Sequence, residues 1–240
     1  MGDRPLLSLR ELSAWYTAGR PVLDGLSLAL APGEVVGLIG LNGAGKTTFL
    51  KALSGLLPGC RAGSALWKGR PLSFRAESFK RERFVAFAED RSFPYFTFRE
   101  YLSYAAAAYG QPTPDVQALT AAFGLEPCTD VLLRELSTGN RKKAALITAF
   151  ALQPELLLLD EPVNGLDFQS TETLYRLMAG YRQRGTLLFS SHILESICLT
   201  ADRVLVLEQG RIRRTFAGAQ ITAEAIREVL RDDAAVQSDH

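Results

Sequence analysis

The chain has 240 residues, 47% of them hydrophobic and 22% charged, a balance ordinary for one globular domain able to bury a core. A formal charge of +1 gives no electrostatic reason to expect a nucleic-acid partner. Cys60, Cys128 and Cys198 lie far apart without a CxxC pair, which argues for buried or incidental thiols in a reducing compartment over metal or disulfide chemistry. The amino end has no continuous apolar core of the signal-peptide kind. No stretch reaches the roughly 20 apolar residues that cross a bilayer, because Pro154 and Glu155 interrupt the best candidate.

From Leu6 to Leu30 apolar and polar residues alternate around a turn at TAGRP, the pattern of antiparallel strands. EVVGLIG is a short β-branched run ending in glycine, as in a buried parallel strand, and a helix is expected from Gly45 to about Ser54, stopped by Gly55 and Pro58. SALWKGRPL reads as a hairpin. Residues 99–150 are alanine-rich and favour helix, with breaks at Gly110–Pro114 and Gly124–Pro127. Then strand and helix take turns: strand Leu156–Leu159, helix Gln169–Arg182, strand Thr186–Ser190, helix Ile193–Leu199, strand Val204–Leu207. That alternation implies a parallel sheet covered on both faces. A helix from Ala223 to Leu230 leads into a polar tail, 231–240, expected to be flexible.

Two stretches carry chemistry. GLNGAGKTT, with Gly40, Leu41, Asn42, Gly43, Ala44, Gly45, Lys46, Thr47 and Thr48, fits GxxxxGK[ST] and lies between a strand and a helix. Its glycines let backbone N–H groups turn inward around a phosphate, and the new helix adds its positive end. Lys46 can reach the terminal phosphates and the Thr47 hydroxyl can bind Mg2+. In LLLLDEPVNGLD, an all-leucine strand runs straight into Asp160 and Glu161, with Asp167 following. Buried carboxylates cost free energy unless a cation meets them. In a parallel sheet ligands gather at the carboxyl ends of strands, so Asp160 is expected to face the Mg2+ held by Thr47, through a water. Glu161 then lies beside the γ-phosphate, placed to orient or deprotonate an attacking water.

A phosphate loop alone does not separate GTPases, kinases, helicases and transport ATPases; no NKxD-type guanine reader is present. At ELSTGNRKKAALITAFALQPELLLLDEP the chain resembles the ATP-binding subunits of ABC transporters. Seven elements come in that family's order: Tyr16 before VLDGLSLAL, GLNGAGKTT, FAEDRSFPYFTFREYL, LSTGN, LLLLDEP, NGLD and SSH. The resemblance covers nearly the whole chain.

It implies an α/β P-loop NTPase (RecA-like) core with a parallel sheet, an N-terminal antiparallel β subdomain and an inserted α-helical subdomain. Residues 4–33 and 61–75 would form the antiparallel part, 34–60, 76–90 and 151–215 the core, and 91–150 the helical part, in one domain over 4–230. It also implies ATP with Mg2+, Tyr16 stacking on adenine (Trp15 being the alternative), and His192 hydrogen-bonding the γ-phosphate. Ser137 and Gly139 would meet the nucleotide of a second subunit, Asp167 would belong to the nucleotide site, and Glu89 would ligate Mg2+ where relatives carry glutamine.

The spelling departs from the family at Thr138 and Asn140, where glycine and often glutamine stand, and LSxG followed by basic residues resembles an exporter-like branch. The resemblance further implies a separate integral-membrane permease, a second ATPase subunit (a homodimer, or a heterodimer with a related chain) and a cytoplasmic place on the inner face of the membrane. Seven phenylalanines between Phe74 and Phe98 fall where the family receives its permease, as core or as exposed anchors. The rival is a soluble cassette in iron–sulfur assembly or ribosome function; repair cassettes carry coiled-coil insertions that this chain lacks.

Overall fold

In the computed structural model the backbone is described for residues 4–237 and the side chains for residues 4–231. Strands β1 (Leu7–Thr17) and β2 (Arg20–Leu30) pair antiparallel, as the alternation requires. With β4 (Gly59–Arg61), β5 (Ser64–Trp67) and β6 (Arg70–Pro71) they make a five-stranded sheet ordered β2-β1-β5-β6, with β4 on β1.

The second sheet has six strands: β3 (Val35–Ile39), β7 (Arg83–Ala86), β8 (Leu156–Asp160), β9 (Thr186–Ser190), β10 (Arg203–Glu208) and β11 (Arg211–Ala217). Their order is β11-β10-β3-β9-β8-β7, parallel except for β11 at the edge. This is the P-loop NTPase arrangement of mixed sheets and helices.

The leucine run is explained by the pleat, which sends successive side chains to opposite faces. Leu156 and Leu158 join the core that includes the antiparallel strands and helix α1 (Lys46–Leu53). Leu157 and Leu159 join the core on the other face, built with α3 (Phe98–Ala108), α5 (Thr138–Leu152), α6 (Phe168–Gly180) and α7 (Leu194–Thr200). Val36 and Leu38 divide from Val35 and Ile39 in the same way. A strand with a core on both faces has no polar side to show, hence its unbroken apolar spelling.

Helix α3 starts on a capping box: Thr97 accepts from the Glu100 backbone N–H at 3.3 Å, and Glu100 accepts from the Thr97 N–H at 2.7 Å. The break at Gly110–Pro114 separates α3 from α4 (Gln117–Phe123), and α5 follows a loop.

Four elements go beyond the sequence reading. The strands β4, β7 and β11 and the helix α2 (Glu77–Glu82) had no assigned state. In RIRRTFA only Phe216 is buried and Ile212 half-buried, the arginines and the rest of β11 facing solvent at the sheet edge. The last helix, α8 (Ala223–Gln237), runs past Leu230 through most of the stretch expected as a flexible tail. Its residues, rich in alanine and acid, continue a helix readily. Residues 238–240 of that expected tail lie outside the described residues.

Candidate functional site

The strand order brings three chain segments to one edge. β9 lies between β3 and β8, with Asp160 paired to Ser190 and Leu38 also paired to Ser190. The segments after these strands therefore emerge together: the glycine loop after β3, Glu161 after β8 and His192 after β9.

The loop from Gly40 turns into α1 at Gly45, whose φ of 107° is left-handed and strained for any residue with a Cβ. Ala44 donates to Leu41 O at 3.1 Å and accepts from Gly210 N–H at 3.0 Å, so the loop is tied to itself and to the turn between β10 and β11. The Lys46 ammonium spans the loop, donating to Gly40 O at 2.8 Å and Leu41 O at 3.4 Å. A cleft lined by Val22, Asn42, Gly43, Gly45, Lys46, Thr47, Thr48 and Glu161 opens above it. Backbone N–H groups at a helix start, beside an ammonium, form an anion site.

Asp160 is only 4% exposed, and its carboxylate meets hydroxyls. Thr47 Oγ1 donates toward both its oxygens, at 3.1 and 3.0 Å, and Ser190 Oγ donates to Oδ1 at 2.7 Å. A buried carboxylate beside a threonine hydroxyl is a hard oxygen donor set that fits Mg2+, an ion that keeps several waters. Among the described residues no group of three or more His, Cys, Asp or Glu is placed to hold a metal ion.

Glu161 is held at several points. Its φ of 46° is left-handed, a backbone state that neighbours must stabilise. Its N–H donates to Ser190 Oγ at 2.9 Å, and its carbonyl accepts from Lys142 Nζ at 2.7 Å and from Asn164 N–H at 3.3 Å. Its Oε2 faces His192 Nδ1 at 2.8 Å and accepts from His192 N–H at 3.3 Å, and Oε1 lies 3.9 Å from Lys46 Nζ. Two ammoniums thus flank the acid pair, Lys46 from the loop and Lys142 from α5. Burial lowers the pKa of both, against the pull of Glu161 and Asp160 upward.

The other anticipated residues lie around this centre. Tyr16 is 49% exposed at the end of β1, with Lys51 Nζ 5.6 Å from its ring centre. Trp15 is packed against Gly59, where no Cβ has room. Tyr16 is therefore the freer ring of the two. Ser137 caps α5 by accepting from Asn140 N–H at 3.1 Å. At Gly139 a Cβ would stand 2.8 Å from Gly165 O, so glycine allows α5 to approach the loop after β8 closely. Asp167 caps α6, accepting from Ser170 N–H at 2.9 Å, and pairs with Lys143 at 2.5 Å. The Lys143 bond holds its carboxyl at about 2.

Glu89 is not brought into this group. It is exposed in a cleft lined by Arg91, Thr138, Arg141 and Lys142, and among the described residues no hydrogen bond or ion pair joins it to Thr47 or Asp160. The segment after β7 runs along α5, whose basic face lies opposite the glutamate. The seven phenylalanines also divide. Phe79, Phe84 and Phe98 are buried, and Phe93 and Phe96 are partly covered, with ring centres 5.1 and 5.8 Å from that of Tyr104. The large ring exposed in this stretch is Tyr95, at 69%, with Tyr104 of α3 exposed beside it at 52%.

Sequence reasoning missed Ser190, Lys142 and Lys143. Ser190 could have been found from the paired strand ends, since SS follows a buried run; the lysines sit in a basic run whose facing depends on helix packing. Phe168, exposed at 82% beside Asp167, was also unforeseen.

A glycine loop on a helix start, facing an Asp–Glu pair at the end of a parallel strand one strand removed, defines a P-loop nucleotide-binding ATPase. The comparisons narrow that class. A family model described as ABC transporter matches residues 23–164. The Nod factor export ATP-binding protein I of Burkholderia thailandensis is 37% identical over 195 residues, covering 79% of this chain and 64% of that one. The cobalt import ATP-binding protein CbiO of Rhodobacter capsulatus is 33% identical over 230 residues, covering 92% and 81%. A solved ATP-binding subunit of an ABC transporter superposes with a TM-score of 0.82 at 30% identity, covering 98% of this chain and 100% of that one. The chain belongs to the ABC transporter ATP-binding family. It is accordingly an ATPase that takes ATP with Mg2+.

Proposed function

We propose that this ATPase subunit powers a separate integral-membrane permease, in the export direction, through ATP-driven association of two copies on the cytoplasmic face. The observation that carries the two-copy reading is the division of the site. The cleft over the glycine loop is lined from one side only, while Ser137 and Thr138 at the start of α5 are exposed and make no contact with it. An exposed hydroxyl at a helix start suits the phosphates of a nucleotide bound to another copy. Two identical half-sites facing each other make a closed dimer with two nucleotides.

Within each site Lys46, the loop amides of Gly40–Thr48 and Ser137 and Gly139 of the partner copy would hold the phosphates, and Tyr16 would stack on adenine. Asp167 would belong to the rim where the two copies meet. Thr47 and Asp160 are the proposed Mg2+ ligands, with Glu89 reaching the site only after its segment moves. Mg2+ held there would supply positive charge against the nucleotide phosphates. Glu161 would orient a water and accept its proton, His192 holding the carboxylate by its Nδ1 side and leaving the other ring nitrogen for the γ-phosphate. Driving a switch from 1:99 to 99:1 takes roughly 5.5 kcal/mol of differential binding, within reach of two triphosphates.

Among the described residues no helix is long and apolar enough to cross a membrane, which supports a separate permease. The cluster of Phe93, Phe96, Tyr101 and Tyr104, with Tyr95 outward, supplies anchors for it. Relatives are named for export and for import alike, so the export reading rests on the LSTG spelling with its following basic residues. The two-copy ATPase reading is tested by Glu161→Gln: turnover lost while ATP still drives dimerisation in size-exclusion supports it, and full residual turnover sinks it.

A further inference from the structure

We propose that Lys142 is a positioning residue: its hydrogen bond to the Glu161 carbonyl sets the backbone of the candidate base from the first turns of α5. The inference rests on the reading of Glu161 as that base. Three observations meet here. Glu161 has a left-handed φ of 46°, a conformation that a glutamate adopts only when its surroundings impose it. Its preceding peptide is fixed by the Ser190 hydroxyl at 2.9 Å, at the end of the neighbouring strand β9. Its following peptide is fixed by Lys142 at 2.7 Å, through a bond that crosses to α5.

The place of Lys142 on α5 gives that second bond its meaning. It stands just over one turn from Ser137, the residue proposed to meet the other copy's nucleotide, and next to Lys143, which holds Asp167 at 2.5 Å. Gly139 lets the same helix start lie against Gly165. The first turns of α5 thus hold both ends of the segment from Glu161 to Asp167. Any displacement of α5 against the sheet shifts the Glu161 carbonyl, and with it the carboxylate held by His192. Docking of a nucleotide on Ser137 would be relayed to the base by this route. An ammonium suits the task because it donates three ways and can also meet Glu89, which lines the same cleft.

The test compares Lys142→Met, Lys142→Arg and Glu161→Gln in the full chain. Lys142→Met should lower kcat about ten- to hundredfold, the worth of one charge-assisted hydrogen bond, while KM for MgATP stays within about threefold. Lys142→Arg should restore most of the rate. Amide hydrogen exchange across 161–165 should quicken in Lys142→Met with MgATP affinity unchanged. If Lys142→Met does not fold, Lys142→Gln is read by the same three measures. An unchanged kcat with unchanged exchange overturns the inference, as does a loss shared equally between KM and thermal stability. Should Glu161→Gln itself keep full turnover, the reading of Glu161 fails instead, which is a separate outcome.

Discussion

Glu161 and His192 face each other across two neighbouring strand ends, with His192 Nδ1 at 2.8 Å and its backbone N–H at 3.3 Å from the same Glu161 oxygen. Two contacts on one oxygen fix its direction and leave Oε1 toward Lys46. His192→Ala removes the ring and keeps the backbone contact. It should cost up to about 100- to 10,000-fold in kcat, the span that general-base catalysis itself supplies and that a misdirected carboxylate forfeits, with nucleotide affinity nearly unchanged. Single-turnover ATPase kinetics alongside a binding titration check this.

Ser190 joins the two acids, donating to Asp160 and accepting from the Glu161 N–H. It is fully buried. Ser190→Ala leaves that N–H unpaired and should lower stability by about 1–3 kcal/mol. Urea unfolding of the wild type and the variant measures the difference.

Asp167 gives a pH-dependent case. Its carboxyl is held at about 2, chiefly by its bond to Lys143, so the group binds fewer protons folded than unfolded. Its contribution is complete above the ordinary aspartate value and is lost as the pH falls toward 2. The side chain is half exposed, so solvent screening limits the ion pair to about 0.5–1 kcal/mol. Asn also caps helices, so Asp167→Asn isolates the charge. The stability gap between wild type and Asp167→Asn should be present at pH 7, shrink below the ordinary aspartate value and close only as the pH falls through about 2 in urea titrations.

Gly139 is the contact point between α5 and the loop after β8. In Gly139→Ala the new Cβ would stand 2.8 Å from Gly165 O, a backbone atom that cannot rotate away. The helix start must shift, at a cost of about 1–3 kcal/mol. Thermal unfolding of that variant measures the cost.

Much of the site was legible because its parts are local patterns. GLNGAGKTT states its own geometry, and LLLLDE announces a doubly buried strand ending in acids. Asp160 was expected to face an Mg2+ held by Thr47 because ligands gather where parallel strands end, and the structure brings the two side chains together at 3.0–3.1 Å. What stayed hidden depends on packing between distant segments. Nothing in RKK tells Lys142 from Arg141, because the facing of each is set by how α5 lies on the sheet. Glu89 was expected at the metal on family grounds, yet the segment carrying it turns toward the basic side of α5. The edge strand β11 was overlooked because its arginines hide a period of two, and α8 outlasts Leu230 because alanine and acid residues signal no stop.

The central claim is that the glycine loop, Thr47 and Asp160 form one site for a magnesium–triphosphate. Calorimetric titration of ATP into the purified chain, with Mg2+ and then with EDTA, tests it most directly. Micromolar binding that weakens about tenfold or more without Mg2+, and is lost in Lys46→Ala, is the expected result. Affinity indifferent to both the ion and Lys46 would contradict it.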